Sequence, residues 1–155
     1  MQIFALIQAL YYMDKPFWEH KTLADMTVAE WESLCDGCAQ CCMHKLEDED
    51  SGEILFTDVA CKLLDIESCR CTNYGARSRL VKACLILAPD RPEVFAWLPG
   101  TCAYRRLAEG DALAEWHPLI TGDLDSVHEA GISVQGKATS ELENSEPTVF
   151  RNLSA

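Results

Sequence analysis

Four cysteines crowd into residues 35–42, in the order Cys35-x-x-Cys38-x-x-Cys41-Cys42. A C-x-x-C turn can bring two sulfurs onto one ion, while nearby backbone N–H groups stabilise the thiolate charge. Three cysteines at successive spacings of three, followed by an adjacent fourth, are a strong signal for metal binding. Whatever the chain folds into must therefore bring these thiols together.

The alternative use of closely spaced cysteines is a disulfide scaffold. The chain has nine cysteines, an odd number, and no export signal is visible. Its first segment, residues 1–12, is apolar and uncharged, but it lacks the basic region and the small-residue cleavage site of a secretory signal. Because cytosolic thiols stay reduced, we expect a cytoplasmic protein whose cysteines bind metal.

Two metal chemistries fit the motif. The C-x2-C-x2-C spacing is the one by which a ferredoxin segment supplies three thiolates to a [4Fe–4S] cluster. The adjacent fourth cysteine does not follow the ferredoxin pattern, so a remote cysteine would complete that cluster. In the zinc alternative, Cys35 and Cys38 form half of a tetrahedral four-thiolate Zn²⁺ site and a distant pair supplies the rest. The iron–sulfur cluster is slightly favoured.

The remaining cysteines suggest a second centre. Neighbouring side chains such as those of Cys41 and Cys42 point in different directions, so the doublet indicates two nearby centres or one ligand beside a buried thiol. Cys61 is the predicted spare thiol, because it lies on an apparent helix among apolar neighbours. The other eight would make two four-thiolate sites: Cys35, Cys38, Cys41, Cys42, Cys69, Cys71, Cys84 and Cys102.

Charge patterning bears on partners. The net charge of −12, from 25 acidic and 13 basic side chains, disfavours nucleic acid and anionic membranes as partners. Residues 70–82 reverse this trend, with four basic and no acidic side chains. Arg77 and Arg79 could bind an anion over the metal, as in an enzyme, but we favour the simpler reading that these bases offset thiolate charge. Whether the protein is an enzyme, and which protein it contacts, stay open.

The predicted elements are short, which indicates an irregular α+β fold stapled by cysteine-bound metal. Thr27 and Glu30 form a capping box that opens a helix. The predicted helices are Val28–Leu34, Val59–Leu64 (capped by Thr57), Asp90–Leu98 and Cys102–Glu109, and the predicted strands are Glu53–Thr57 and Gly131–Gln135.

A single domain is expected from 155 residues. We divide the chain into an apolar extension at residues 1–12, a cysteine-rich metal-binding domain at 13–135 and a polar, poorly packed tail at 136–155. The extension is either the product of a misplaced start ahead of Met13 or a short docking helix.

These motifs resemble the bacterial CxxCxxCC family of zinc- or iron-chelating domains, and within it the YcgN-like branch. The stretches that carry the resemblance include WESLCDGCAQCC, CRCTNY and FAWLPGTCAYRRLAEG, and together they span Pro16 to about Gly122. The resemblance implies metal chelation by the cysteines and brings no established activity. Its core covers the CxxCxxCC cysteines, Cys69, Cys71 and Cys84, together with Tyr74 and Arg77.

Overall fold

The computed structural model describes residues 8, 11, 14–143 and 146–150. The predicted extension therefore lies, apart from Gln8 and Tyr11, outside the described residues. The remainder is a small α+β domain of short elements, as predicted. Its α-helices are α1 (Phe17–His20), α2 (Val28–Ser33), α3 (Arg77–Leu80), α4 (Ala103–Ala108), α5 (Pro118–Thr121) and α6 (Ser126–Glu129). None of the described helices has the length and apolar character needed to cross a membrane.

The main sheet is built on the longest strand. Strand β2 (Ile54–Ala60) pairs antiparallel with β1 (Met43–Glu47) and parallel with β5 (Thr139–Ser140), and antiparallel with β6 (Val149–Phe150). Strands β3 (Leu64–Asp65) and β4 (Arg70–Cys71) form a separate two-stranded sheet. Strands β5 and β6 come from the predicted tail, so these parts of residues 136–155 are paired with β2, although none of the described residues in this range is buried.

Two of the helix predictions are confirmed, and a third segment forms a 3-10 helix. The Thr27 hydroxyl accepts from the backbone N–H of Glu30, and the Glu30 carboxylate accepts from that of Thr27, so the capping box opens α2. Helix α4 matches the predicted Cys102–Glu109 segment and ends before Gly110, whose φ is 86°. The Asp90–Leu98 segment forms a 3-10 helix over Pro92–Trp97.

Two element predictions are wrong. The predicted helix Val59–Leu64 is instead the end of β2, a turn and the start of β3, because residues 54–60 form backbone pairs with β1, β5 and β6. The predicted strand Gly131–Gln135 is irregular: three of its N–H groups close the turn after α6, and the Val134 N–H donates to the Cys38 carbonyl at 3.0 Å. The backbone hydrogen bond from Val134 therefore joins this segment to the cysteine loop and not to a sheet.

The core of the described chain contains two apolar clusters, and the cysteine loop contributes side chains to both. The first surrounds Leu34, Phe95, Leu98 and Tyr104, and Cys41 and Cys102 pack against it. The second gathers Met43, Ala60, Leu64, Cys69 and Val134, and Cys42 packs against it.

Candidate metal centre

The CxxCxxCC motif forms a tight loop between α2 and β1. Gly37 (φ 80°) and Ala39 (φ 60°) both take the left-handed conformation, which reverses the chain between successive cysteines. The Asp36 carboxylate accepts from the backbone N–H of Cys38 at 2.8 Å. A 3-10 turn over Gln40–Cys42 then leads into β1.

Buried side chains hold the start of this loop. The fully buried His117 donates from Nε2 to the Leu34 carbonyl at 2.9 Å, since its Nδ1 accepts from the Leu119 N–H at 3.0 Å. The Tyr104 hydroxyl donates to the Trp31 carbonyl at 2.7 Å. Cys35 follows Leu34 directly, so these contacts fix where the first thiol emerges.

The first set of thiols lies over the Leu34 cluster. Cys35 and Cys38 stand at the two ends of the Cys-Asp-Gly-Cys turn, and Cys41 packs on the same cluster as Cys102, which precedes α4. Burial, followed by the charges of Asp36, Cys41 and Cys102, raises the pKa of the Cys38 thiol. Burial and then Cys41 and Asp36 likewise raise the pKa of Cys102.

The second set lies beside the β1–β2 ladder. The Cys61 N–H donates to the Cys42 carbonyl at 2.9 Å, and the Leu64 N–H donates to the Cys61 carbonyl at 2.9 Å. Leu64 pairs with Cys71 across the small sheet. Burial raises the pKa of Cys84, and the charges of Cys41, Cys61 and Cys71 raise it further. The chain thus brings Cys42, Cys61, Cys71 and Cys84 into one neighbourhood.

The doublet joins the two sets. A hydrogen bond from the Cys42 thiol lowers the pKa of Cys41 to about 7, and the same bond, followed by burial, raises the pKa of Cys42. Of these two thiols, Cys41 is therefore the one that ionises first. Cys35 is exposed as a residue, yet neighbouring protein atoms desolvate its thiol and, with the charge of Cys41, raise its pKa to about 11.

Cys69 is placed differently. It is 4% exposed, in the core cluster with Ala39, Met43 and Val134, and has a φ of 55°. Its thiol donates to the Ile66 carbonyl at 3.6 Å. Burial raises its pKa, and the charges that act on it are those of Arg70 and Asp65.

Three basic side chains border the thiols. The Lys45 ammonium donates to the carbonyls of Cys41 and Met43 at 2.8 and 2.9 Å, and its charge helps to lower the pKa of Cys41. The Arg70 guanidinium lies against Gly37, and its charge lowers the pKa of Cys35. Arg77 acts in the same way on Cys84. Lys45 was not singled out by sequence reasoning, because its distance from the thiols depends on how β1 leaves the loop.

The comparisons with known proteins agree with this site. The sequence model of the CxxCxxCC family, described as "putative zinc- or iron-chelating domain", matches residues 34–103. The UPF0260 protein of Gluconacetobacter diazotrophicus is 57% identical over 126 residues, which cover 81% of this chain and 79% of that protein. The chain belongs to the UPF0260 family.

Other members are similarly close. The UPF0260 protein of Brucella melitensis is 56% identical over 81% of this chain and 83% of its own length, and that of Marinobacter nauticus is 55% identical over 81% and 85%. No solved structure matches the chain. The family resemblance read from the cysteine motif is thereby confirmed.

The donor set of this UPF0260 protein fits a thiolate-bound metal. Eight thiols from separate segments are neighbours, with basic side chains around them. Asp36 is 6% exposed, and its Oδ2 has no hydrogen-bond partner in the described part of the chain. A buried carboxylate oxygen without a partner is costly beside thiols unless a cation lies near. Within the described residues, no three Cys, His, Asp or Glu side chains are arranged to hold an ion as they stand.

The other predicted side chains lie at the edge of this site. Arg77 stacks on the Tyr74 ring, with 3.7 Å from its guanidinium carbon to the ring centroid, and donates to the Tyr74 carbonyl at 2.6 Å. Arg79 is exposed. His44, considered as a ligand from its position after Cys42, pairs with Glu141 at 3.0 Å. Two open surface grooves, of about 500 and 410 Å³, are lined without any cysteine.

Proposed function

We propose that this UPF0260 protein is a metal-binding protein in which the CxxCxxCC motif and downstream cysteines hold iron–sulfur or zinc, with a [4Fe–4S] cluster favoured over Zn²⁺. The observation that carries the proposal is the gathering of thiols from residues 35–42, 61, 71, 84 and 102 around one loop. The C-x2-C-x2-C spacing of that loop favours the cluster. To bind, the thiols lose their protons and turn towards the metal.

The charges around the thiols support metal binding over a structural role for free cysteines. Four thiolates on a divalent ion or on a [4Fe–4S]²⁺ cluster leave a net negative charge. Lys45, Arg70 and Arg77 are placed to offset that charge. Since Arg77 is already engaged by Tyr74, its contacts support charge compensation more than the anion site predicted at Arg77 and Arg79. A bound cluster would supply one-electron transfer, and zinc would supply structural cross-linking.

The deciding experiment is purification of the full chain without oxygen, followed by iron, acid-labile sulfide and zinc analysis. A brown protein with iron and sulfide in equal amounts supports the cluster. A colourless protein with stoichiometric zinc supports the zinc alternative. Neither metal, even after reconstitution under reducing conditions, refutes the proposal.

A second candidate function is transfer of iron or zinc to another protein. The observation that favours it is that Cys35 is exposed as a residue, whereas the other seven thiols belong to buried or half-buried residues, so an acceptor could approach the chain at Cys35. The rate of metal loss to an excess of chelator tests it. Exchange within minutes supports a carrier, whereas retention over days supports a closed structural site.

A further inference from the structure

We infer that the thiols divide into two separate four-thiolate centres, and that Cys61, not Cys69, is a ligand of the second centre. This rests on the proposed function of metal binding. The first centre comprises Cys35, Cys38, Cys41 and Cys102. The second comprises Cys42, Cys61, Cys71 and Cys84.

The division begins at the doublet. Cys41 packs against the cluster around Leu34, whereas Cys42 packs against the cluster around Met43 and Ala60. The two side chains therefore pack on different clusters. The Cys42 thiol nevertheless hydrogen-bonds to Cys41, so the two centres lie next to each other.

The first centre is assigned from the apolar cluster around Leu34. Cys102 packs on the same cluster as Cys41, and Cys35 and Cys38 bracket the turn that begins directly after Leu34. The buried Oδ2 of Asp36, which lacks a hydrogen-bond partner, lies in this group, where its charge acts on Cys38, Cys41 and Cys102. A cation at this point would satisfy the carboxylate as well as the thiolates.

Three members of the second centre follow from backbone pairing, and Cys84 joins them because the charges of Cys61 and Cys71, as well as that of Cys41, act on it. The backbone bond from Cys61 to Cys42 places these residues side by side, and the Leu64–Cys71 pair brings β4 next to them. The Leu63 N–H also donates to the Cys61 sulfur at 3.5 Å. Hydrogen bonds of this type are typical of metal-bound thiolates, because they stabilise the sulfur charge.

Cys69 has the contacts of a core thiol. It lies two residues before Cys71, but its side chain is 4% exposed and packs with Met43 and Val134. Its sulfur donates to the Ile66 carbonyl and accepts hydrogen bonds from Ser133 and Gln135, but no other cysteine is among its main interactions, in contrast to Cys61, whose charge acts on Cys42 and Cys84. A cysteine in this setting acts as a small hydrophobe.

The test uses Cys61→Ser with Cys69→Ser as its matched control, in the full chain purified without oxygen. We expect Cys61→Ser to retain about half of the wild-type metal per chain and Cys69→Ser to retain all of it. Cys102→Ser should also retain about half, and the Cys61→Ser/Cys102→Ser double variant should retain almost none. Native mass spectrometry and metal analysis give the stoichiometry, and circular dichroism shows that each variant is folded. If Cys61→Ser does not fold, Cys84→Ser reports on the same centre.

Several outcomes would overturn the inference. Loss of metal in Cys69→Ser with full retention in Cys61→Ser would reverse the assignment. Complete loss in either Cys61→Ser or Cys102→Ser alone would indicate a single shared centre. Both results would leave the proposed function intact, because the wild-type chain would still bind metal. A wild-type chain without metal would instead refute the proposed function itself.

Discussion

Replacing Gly37 with alanine tests the geometry of the cysteine turn. Gly37 has a φ of 80°, where an L-residue costs about 1–2 kcal/mol relative to ordinary backbone. A Cβ atom at this position would also lie 3.3 Å from Arg70 Nη2, closer than an ordinary contact. The guanidinium is the end of a flexible side chain, so moving it costs little, about 0.5 kcal/mol by comparison with off-rotamer side chains. We expect Gly37→Ala to lower the free energy of unfolding by about 1.5–2.5 kcal/mol, the sum of these terms.

Gly52→Ala is the matched control. Gly52 has a φ of 70°, but nothing lies within 4 Å of its added Cβ, so it carries the backbone cost alone. Urea denaturation of both variants, purified without oxygen, measures the difference. In an Arg70→Ala background, the cost of Gly37→Ala should fall to that of Gly52→Ala, because the contact no longer exists.

The metal provides a second measurement. A displaced Arg70 compensates the Cys35 charge less well, so a chelator should remove metal faster from Gly37→Ala than from Gly52→Ala. Equal rates would refute the role of Arg70 at Cys35. A Gly37→Ala cost of only a few tenths of a kcal/mol would refute the left-handed turn.

Three further predictions concern the surroundings of the thiols. Lys45→Met should increase the rate of metal loss to a chelator, because it removes the ammonium group beside Cys41 and Cys42. Lys45→Arg should lose metal at the wild-type rate. Equal rates for the two variants would contradict this prediction. His117→Phe should lower the free energy of unfolding, measured by urea denaturation, by about 2–4 kcal/mol, because it leaves the Leu34 carbonyl and the Leu119 N–H unpaired. His117→Gln should lower it by less. A decrease below about 1 kcal/mol for His117→Phe would show that these bonds contribute little. The amount of bound metal should fall as the pH is lowered, because thiols with a pKa above neutrality, such as Cys35 with a pKa of about 11, take up protons in competition with metal. Equal metal content at pH 6 and pH 9 would contradict this prediction.

Local signals in the sequence were enough where neighbouring residues decide the structure. The Thr27–Glu30 capping box opened α2 as predicted, because both of its bonds lie within four residues. Gly110 likewise ended α4, since its positive φ is a local property. The strand prediction at Glu53–Thr57 was also confirmed, although pairing with β1 extends β2 to Ala60.

Local signals did not predict the structure of segments whose conformation depends on pairing with a distant segment. Residues 59–64 have the composition of a short helix, but hydrogen bonds to β1 hold the first of them in a strand and place Cys61 beside Cys42. Residues 131–135 alternate like a strand, yet their one long-range backbone bond goes to Cys38. No pattern within either segment records where its partner lies.

The same distinction applies to the thiols. The spacing of Cys35, Cys38, Cys41 and Cys42, together with the stretches around it and downstream, indicated a CxxCxxCC protein from the sequence alone, because distances within one motif are set by sequence separation. Which remote cysteines join them depends on strand pairing and on the two apolar clusters. Only the tertiary structure therefore separated Cys61, whose backbone bonds to Cys42, from Cys69, whose side chain is buried in the core.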